Sequence, residues 1–471
     1  MPNKYDYDAV IIGAGISGLV CGCYLAKAGM KVLIVEKNAK PGGYCTSFTR
    51  GGFTFDACAH SLGSLREGGN IRTILKELDL GERVSIIRYD PSDIIIAPDF
   101  KIHFWNDLNK TINEFQEKFP NEAKQIRDFF AYLDNNSGMA LLANLRNKTF
   151  KDLLDSYFED YKLKAILSLP VLGNVGLPPS LVSAITAVTI YKEYIYDGGN
   201  YFEGGMQKLP NILVKKLKEL GGEIILSKLV EKIKINDTMV KGVILGNNNF
   251  ISARYIVSNV DTRYTFLEML DNKLTDKNVL DKLNNMTPSL SMFILYLGIE
   301  QYFNGFPEVP SNIWHLPNYD IESMYLTAVK GDIDNSDWFL FRASKDKRNI
   351  LMLVNAAFNT EQYWNENKSR LTDLFIKKIE NIIPELSRHI VLKISATPHT
   401  LYKHTLNYKG AAYGWNSIPS QFAVSEFTQK TSIKNLYLTG HWTTLAQGIS
   451  GVSYLGRSTA RMILNKKEYS V

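Results

Sequence analysis

Cysteine is nearly absent from this 471-residue sequence: four residues, Cys21, Cys23, Cys45 and Cys58, all lie in the first eighth of the chain. With no partner set elsewhere, neither a disulfide framework nor a four-ligand zinc site is expected, and no metal is assigned. A strong charge of one sign is lacking as well. Fifty-four basic against 48 acidic residues leave a formal +6 and a pI near 8.8. That surplus is too diffuse to argue for nucleic acid, although it favours contact with an anionic membrane surface. No signal-like apolar stretch precedes the first strand, so cytoplasmic residence is the expectation. A bilayer-spanning run is missing too. The longest uncharged stretch, 165–191, is broken by Pro170, Gly173, Asn174, Gly176, Pro178 and Pro179. What is present, 45% hydrophobic and 22% charged residues, is the balance of a globular protein. The length calls for two or three subdomains.

The most informative segment is YDAVIIGAGISGLVCGCYLAKAGMKVLIVEK. Ala9 to Ile12 form an apolar run expected of a buried parallel strand. Gly13-x-Gly15-x-x-Gly18 follows at once and opens a helix predicted from about Ile16 to Ala28, with Leu19, Cys23 and Ala26 toward the sheet. Gly29 ends that helix, and Lys31 to Val35 read as a second strand with Glu36 at its tip. Gly13 permits the tight turn, Gly15 lets backbone approach a pyrophosphate, and Gly18 lets helix and strand pack closely. The helix N-terminus offers free N–H groups to phosphate. Glu36 stands where a carboxylate accepts from adenosine ribose hydroxyls and repels a 2′-phosphate. Cys21 and Cys23 are expected to be small packing residues.

After Glu36 the chain runs into a second glycine-rich loop, with Gly42 and Gly43, instead of a third parallel strand. A flexible backbone beside the pyrophosphate suits FAD rather than NAD. This places Ala14, Ile16, Ser17, Lys37 and Tyr44 beside Gly13, Gly15, Gly18, Glu36, Gly42 and Gly43 as cofactor-binding candidates.

Five blocks carry a family resemblance: PGG with GFTFD in 41–56, YFEGGMQKLPNILVKKLKELGGEIILSKLVEKI (201–233), ARYIVSNVD (253–261), GAAYGWNSIPSQ (410–421), and NLYLTGHWTTLAQGISGVSYLGRSTARMIL at the C-terminus. In these blocks, and in their order, the sequence resembles the phytoene desaturase-like and retinol saturase-like branch of the flavin amine oxidase superfamily. The resemblance implies an α/β fold: a Rossmann-type FAD-binding domain near 1–75, 205–262 and 425–471, with a discontinuous α+β substrate domain in 76–204 and 263–424. It adds Val230, Gly440, His441, Gly448, Ile449, Ser450 and Val452 to the flavin contacts, with the helix from about Ile449 aimed at the flavin's pyrimidine edge. Two positions depart from the family: Tyr44 stands where arginine is frequent, and His441 where many flavoproteins have aspartate. His60, in DACAH, is placed by the same likeness at the flavin's reactive face as the candidate catalytic acid or base, on the premise of a near-neutral pKa.

No second GxGxxG follows a strand, and Cys45 lacks a cysteine five residues on, so a disulfide-reductase architecture is disfavoured. Electrons then pass through substrate, oxygen, a quinone or a reduced partner. The substrate implied by the resemblance is an apolar isoprenoid, carotenoid, retinoid or other polyene that is desaturated, saturated or isomerised. Phe150 to Phe202 reads equally as helical core or as an apolar tunnel and membrane-contact lid. Runs 291–298, 338–342 and 350–358 predict a mainly antiparallel substrate sheet, with Trp314 and His315 in a loop. Two alternatives stand beside this reading: an amine oxidase of the same superfamily, and a flavin-free lipid carrier like the GDP-dissociation inhibitors. The intact Gly13, Gly15, Gly18 and Glu36 set argues against the carrier.

Overall fold

The computed structural model describes residues 5–135, 138–270, 277–300, 303, 305–306, 311–422, 427–443 and 447–468. Two seven-stranded sheets organise them. In the first, β1 (Tyr7–Ile12) lies between β2 (Val32–Val35) and the strand Asn249–Ser258, parallel to both. Glu223–Ile225 extends the sheet beyond β2, and Leu436–Leu438 pairs with Asn249–Ser258, again in parallel. The strands Val230–Asn236 and Met239–Leu245 complete it as an antiparallel meander. Strand alternation splits β1 between two cores. Ala9 and Ile11 pack among helices, while Val10 and Ile12 face a cluster containing Trp415 and Trp442. A strand covered on both faces accounts for its unbroken apolar run.

α1 (Ile16–Lys27) is buried over most of its circumference, which only small residues allow. Its closest approach to the sheet is made by glycine. A Cβ at Gly22 would lie 2.8 Å from Ile34 Cδ1, and one at Gly18 would overlap the Gly13 carbonyl. This corrects the expected sheet-facing stripe at its middle position, since the Cys23 thiol donates to Leu213 O at 3.2 Å, in the helix Lys208–Glu219. The thiol is pushed up to about 12 by burial, in keeping with a packing role. The C-terminal helix Gly448–Glu468 crosses α1 where a Cβ at Gly456 would overlap the Ser17 carbonyl.

The second sheet runs Ile390–Ala396, Ser291–Ile299, Asn349–Ala356, Phe339–Ala343, Asn312–His315, Asp93–Ile96, Lys101–Phe104. All its pairings are antiparallel except that of Asn312–His315 with Asp93–Ile96. Trp314 and His315 therefore lie in a strand, not the expected loop. Pairing on both sides supplies their backbone partners, a non-local effect invisible between flanking prolines. The Trp314 indole is fully buried and sits on Gly173, where a Cβ would overlap the ring. Gly173 belongs to the helix Tyr161–Val175, which carries Pro170 inside it, and the helix Ala184–Ile190 continues into a π-helical turn, Tyr191–Ile195. These elements form core beneath the second sheet, leaving Tyr161 and Leu181 as the large apolar side chains of 150–202 that are exposed. Among the described residues no helix is long and apolar enough to cross a membrane.

Candidate functional site

A continuous cavity runs from the β1–α1 turn to the inner face of the second sheet, with about 1900 Å³ of empty space counted out to its mouth.

At the β1 end the wall is backbone. Gly13 adopts φ +94°, and its N–H donates to Val35 O at 2.8 Å, which turns the chain out of the sheet. α1 starts at Gly15 with no side-chain cap, so its first N–H groups are left for a ligand. The second glycine loop returns against this turn: Gly42 N–H donates to Ala14 O at 2.8 Å. A Cβ at Gly43 would stand 3.5 Å from Gly15 Cα. Asn259, which the sequence reading missed, locks the cluster. Its Nδ2 donates to Gly13 O at 3.1 Å, and a Cβ at Gly15, Gly18 or Gly440 would press against its amide. Its signal was positional, because it follows a parallel strand beside β1, the crevice where such sheets bind ligands.

Gly13, Gly15, Ile16, Ser17, Glu36, Lys37, Gly42, Gly43, Tyr44, Val230, Gly440, His441, Gly448, Ile449 and Val452 all line the cavity. Ala14, Gly18 and Ser450 do not. Ala14 N–H donates to Glu36 Oε2 at 2.8 Å, and Gly18 serves helix packing. Ser450 N–H donates to the Tyr194 hydroxyl at 3.0 Å, and Ser450 O accepts from Asn70 at 2.6 Å. The Tyr194 hydroxyl, from the π-helical turn, thus takes one N–H of the first turn of the Gly448–Glu468 helix, while Gly448, Ile449 and Val452 still face the cavity. Glu36 is buried, and its Oε1 accepts from Asn38 N and Nδ2 at 2.8 and 2.9 Å. Lys37 Nζ donates to Lys403 O at 2.9 Å, and burial lowers its pKa.

Midway along the cavity, Tyr44 donates from its hydroxyl to Ala411 O at 2.9 Å and accepts from Asn407 Nδ2 at 3.1 Å. Asn407 Nδ2 also meets His441 Nε2 at 3.3 Å, and its Oδ1 accepts from Trp442 Nε1 at 2.8 Å. Burial pushes His441 down to about 4, so it is neutral at pH 7.

His60 borders the far end. Its loop is held by Tyr296, whose hydroxyl donates to Ala57 O at 2.6 Å, and by Arg342, whose guanidinium donates to His60 O. Asp56, ahead of it, accepts from Tyr201, from Ser47 and from Met206 N–H, which makes it a structural clamp. His60 Nδ1 lies 3.2 Å from Asn312 Oδ1. Asn312 Nδ2 donates to Asp93 Oδ1 at 3.0 Å, and Trp314 Nε1 donates to the same oxygen at 2.8 Å. Sheet register creates this set: Asn312 pairs directly across from Asp93, and Trp314 follows two residues on, on the same face. Burial, reinforced by the Arg342 guanidinium and opposed by the Asn312 bond, pushes His60 down to about 4. The near-neutral premise is therefore corrected: at pH 7 His60 is neutral and able to accept a proton, not supply one. Ile190, Ile195, Met292 and Leu353 give this end an apolar wall.

An uncapped helix start over a glycine cradle, a buried carboxylate at the second strand end and an adjoining apolar chamber fit a flavin dinucleotide. The sequence matches the family described as flavin containing amine oxidoreductase over residues 16–464. Among curated proteins, all-trans-retinol 13,14-reductase of Danio rerio is 23% identical, with 98% of this chain and 86% of that protein covered. Prolycopene isomerase of Daucus carota is 26% identical (97% and 80% covered), and the lycopene-forming phytoene desaturase of Pantoea ananas 24% (96% and 98%). Among solved structures, an oxidoreductase from Methanosarcina mazei superposes with a TM-score of 0.68 at 17% identity, over 96% of this chain and 99% of that one. Cyclohexylamine oxidase from Brevibacterium oxydans gives 0.65 at 16% identity, over 98% and 100%. The structural likenesses establish the α/β, Rossmann-type fold. The match across nearly the whole sequence places the chain in the flavin containing amine oxidoreductase family, as an FAD-dependent oxidoreductase.

Proposed function

We propose that this chain uses FAD to desaturate, saturate or isomerise C–C and C=C bonds of an apolar isoprenoid, carotenoid, retinoid or other polyene. The observation that carries this reading is the apolar wall of Ile190, Ile195, Met292 and Leu353, continuous with the glycine cradle and bordered by neutral His60. The curated relatives named for retinol, prolycopene and phytoene support the substrate class. When bound, the flavin supplies two-electron hydride chemistry. The protein's residues do the rest. Gly13 to Ser17 and Gly42–Gly43 bind the pyrophosphate, Glu36 the adenosine ribose, and Val230 the adenine. The apolar wall excludes water and holds the polyene. In the desaturation direction, where hydride and a proton leave adjacent carbons, neutral His60 accepts the proton. The division into an FAD part (1–75, 205–262, 425–471) and a substrate part (76–204, 263–424) belongs to the same reading, with oxygen, a quinone or a reduced partner completing the redox cycle.

An apolar substrate is collected from lipid, and Tyr161 and Leu181 are the exposed apolar side chains that 150–202 offers for peripheral membrane contact. The test is direct. Purified protein should be yellow, release FAD on denaturation, and shift the polyene absorbance of all-trans-retinol or a C40 carotene. His60→Ala should keep FAD yet slow substrate-linked flavin reduction or reoxidation by ~100-fold. A colourless protein, or turnover of amines with none of polyenes, would overturn the reading.

A further inference from the structure

Two of the three histidines that line the cavity, His60 and His441, end in the same kind of hydrogen-bond chain, arriving from different parts of the sequence. At His60 the chain is Trp314, Asp93, Asn312; at His441 it is Trp442, Asn407. Tryptophan anchors each, and an indole N–H can only donate. Its partner oxygen must therefore accept, and everything downstream of that oxygen is determined.

At the far end, Trp314 makes Asp93 Oδ1 an acceptor, so any proton the carboxyl takes up goes to Oδ2. Asn312 must then present its NH2 to Oδ1 and its carbonyl to His60. A carbonyl facing Nδ1 at 3.2 Å requires a hydrogen there, so His60 is the Nδ1–H tautomer and Nε2 keeps its lone pair. Among the described residues Nε2 has no hydrogen-bond partner. At the middle, Trp442 fixes Asn407 Oδ1 as the acceptor, and Nδ2 becomes the donor toward His441. An amide N–H facing Nε2 at 3.3 Å requires a lone pair there, so His441 too carries its hydrogen on Nδ1. The Tyr44 hydroxyl agrees: it donates to Ala411 O and accepts from Asn407 Nδ2 at 3.1 Å, while the contact of Nδ2 with Ala411 O is the longest of its three at 3.4 Å, which leaves the other hydrogen for His441.

We propose that Trp314–Asp93–Asn312 and Trp442–Asn407 are positioning sets that hold His60 and His441 in one tautomer but expose opposite nitrogens. A bound molecule then meets an acceptor at His60 Nε2 and a donor at His441 Nδ1–H. Burial keeps both rings uncharged at neutral pH, so the tautomer, not the charge, decides what each offers. A donor at His441 also resolves its departure from the family: where aspartate accepts from hydroxyl groups, His441 donates to an oxygen, of pyrophosphate or of the flavin ring. At His60 the acceptor faces the substrate end of the cavity, where it takes the substrate's proton in the desaturation direction. These chemical roles rest on the functional reading above; the tautomers do not.

The test is 15N spectroscopy of holoenzyme labelled at its seven histidines, with His60→Gln and His441→Gln to assign the two signals. At pH 7 both should show a protonated Nδ1 and a bare Nε2, by about tenfold or more, the bias one buried hydrogen bond supports. Free histidine prefers the reverse in water, so the outcome is diagnostic without any further variant. Asn312→Leu should return His60 alone to the Nε2–H form, and Trp442→Phe should mix the tautomers of His441 alone. Nε2–H at either ring of the wild type, or variants that leave both tautomers untouched, would overturn the proposal. A protein with these tautomers but no FAD, or no action on polyenes, would sink the functional reading and leave the positioning sets standing.

Discussion

At the β1 end of the cavity the contacts available to a ligand are made by main chain: the uncapped start of α1, the Gly13 turn and the Gly42–Gly43 return. At the end beneath the second sheet they are made by side chains, His60, Asn312 and Asp93, with an apolar wall around them. The first end is specified by what is missing, since five glycines and an absent cap create the space. The second is specified by what is present and by which strands happen to be neighbours. A main-chain site tolerates almost no added atom, whereas a side-chain site tolerates changes of shape but not of hydrogen-bond polarity. The two ends should therefore fail in different ways.

The largest effect is expected at the main-chain end. Gly18→Val adds a Cβ that overlaps the Gly13 carbonyl and lies 2.8 Å from Asn259 Nδ2, and neither neighbour can retreat without opening the turn. The variant should lose ~3 kcal/mol or more of stability and retain no flavin, read by urea melts and by absorbance near the flavin band. A yellow, stable variant would mean that the turn yields, and the contrast between the two ends would collapse.

The side-chain end should instead respond to pH. His60 and His441 are held at about 4, against 6.5 for an exposed imidazole. With the folded pKa depressed, the unfolded chain binds protons first. Stability is full above about 6.5 and is lost as pH falls toward about 4, by up to ~3 kcal/mol for each ring. Carboxylates also titrate in acid, so the measure is a difference. The double variant His60→Gln, His441→Gln should show a flatter decline between pH 6.5 and 4 than the wild type. Parallel curves would show that the rings are hydrated and that their neutrality is not built into the fold.

The same contrast explains what could be read before the fold was known. The turn, α1, β2 and Glu36 were legible because their meaning is local: a strand, three glycines, a helix and an acid fall within 24 residues, Gly13 to Glu36. The second sheet's long strands were legible from apolar runs. The pKa of His60 was not, because it depends on Asn312, 252 residues away, and on Arg342, 282 residues away. Trp314 looked like loop because its strand is short and paired on both sides by segments distant in sequence. The partner of Ser450 N–H was not legible either, because the Tyr194 hydroxyl that accepts from it comes from a π-helical turn the sequence does not advertise. Asn259 was within the ARYIVSNVD block yet passed over, since its amide serves glycines of two distant segments, the β1–α1 turn and Gly440.

The smallest predicted effect sharpens the border between the two kinds of site. Glu36 is a side chain at the main-chain end, and its carboxylate already accepts from Ala14 N–H, Asn38 N–H and Asn38 Nδ2. It is thus a staple for the glycine turn as well as the proposed ribose ligand, so Glu36→Ala should act twice. Leaving the Ala14 N–H without its acceptor should cost about 1–3 kcal/mol of stability. Losing the ribose contact should weaken FAD retention by a further ~10-fold, a charged-acceptor hydrogen bond being worth ~1.5 kcal/mol or more. The two parts separate in a titration of stripped protein with FAD at a temperature where both wild type and variant are folded. A drop in melting temperature with unchanged FAD affinity would reduce Glu36 to a staple and place the ribose elsewhere. A drop in affinity with unchanged melting temperature would show that the turn holds its shape without the acid, and that Glu36 is there for the ligand alone.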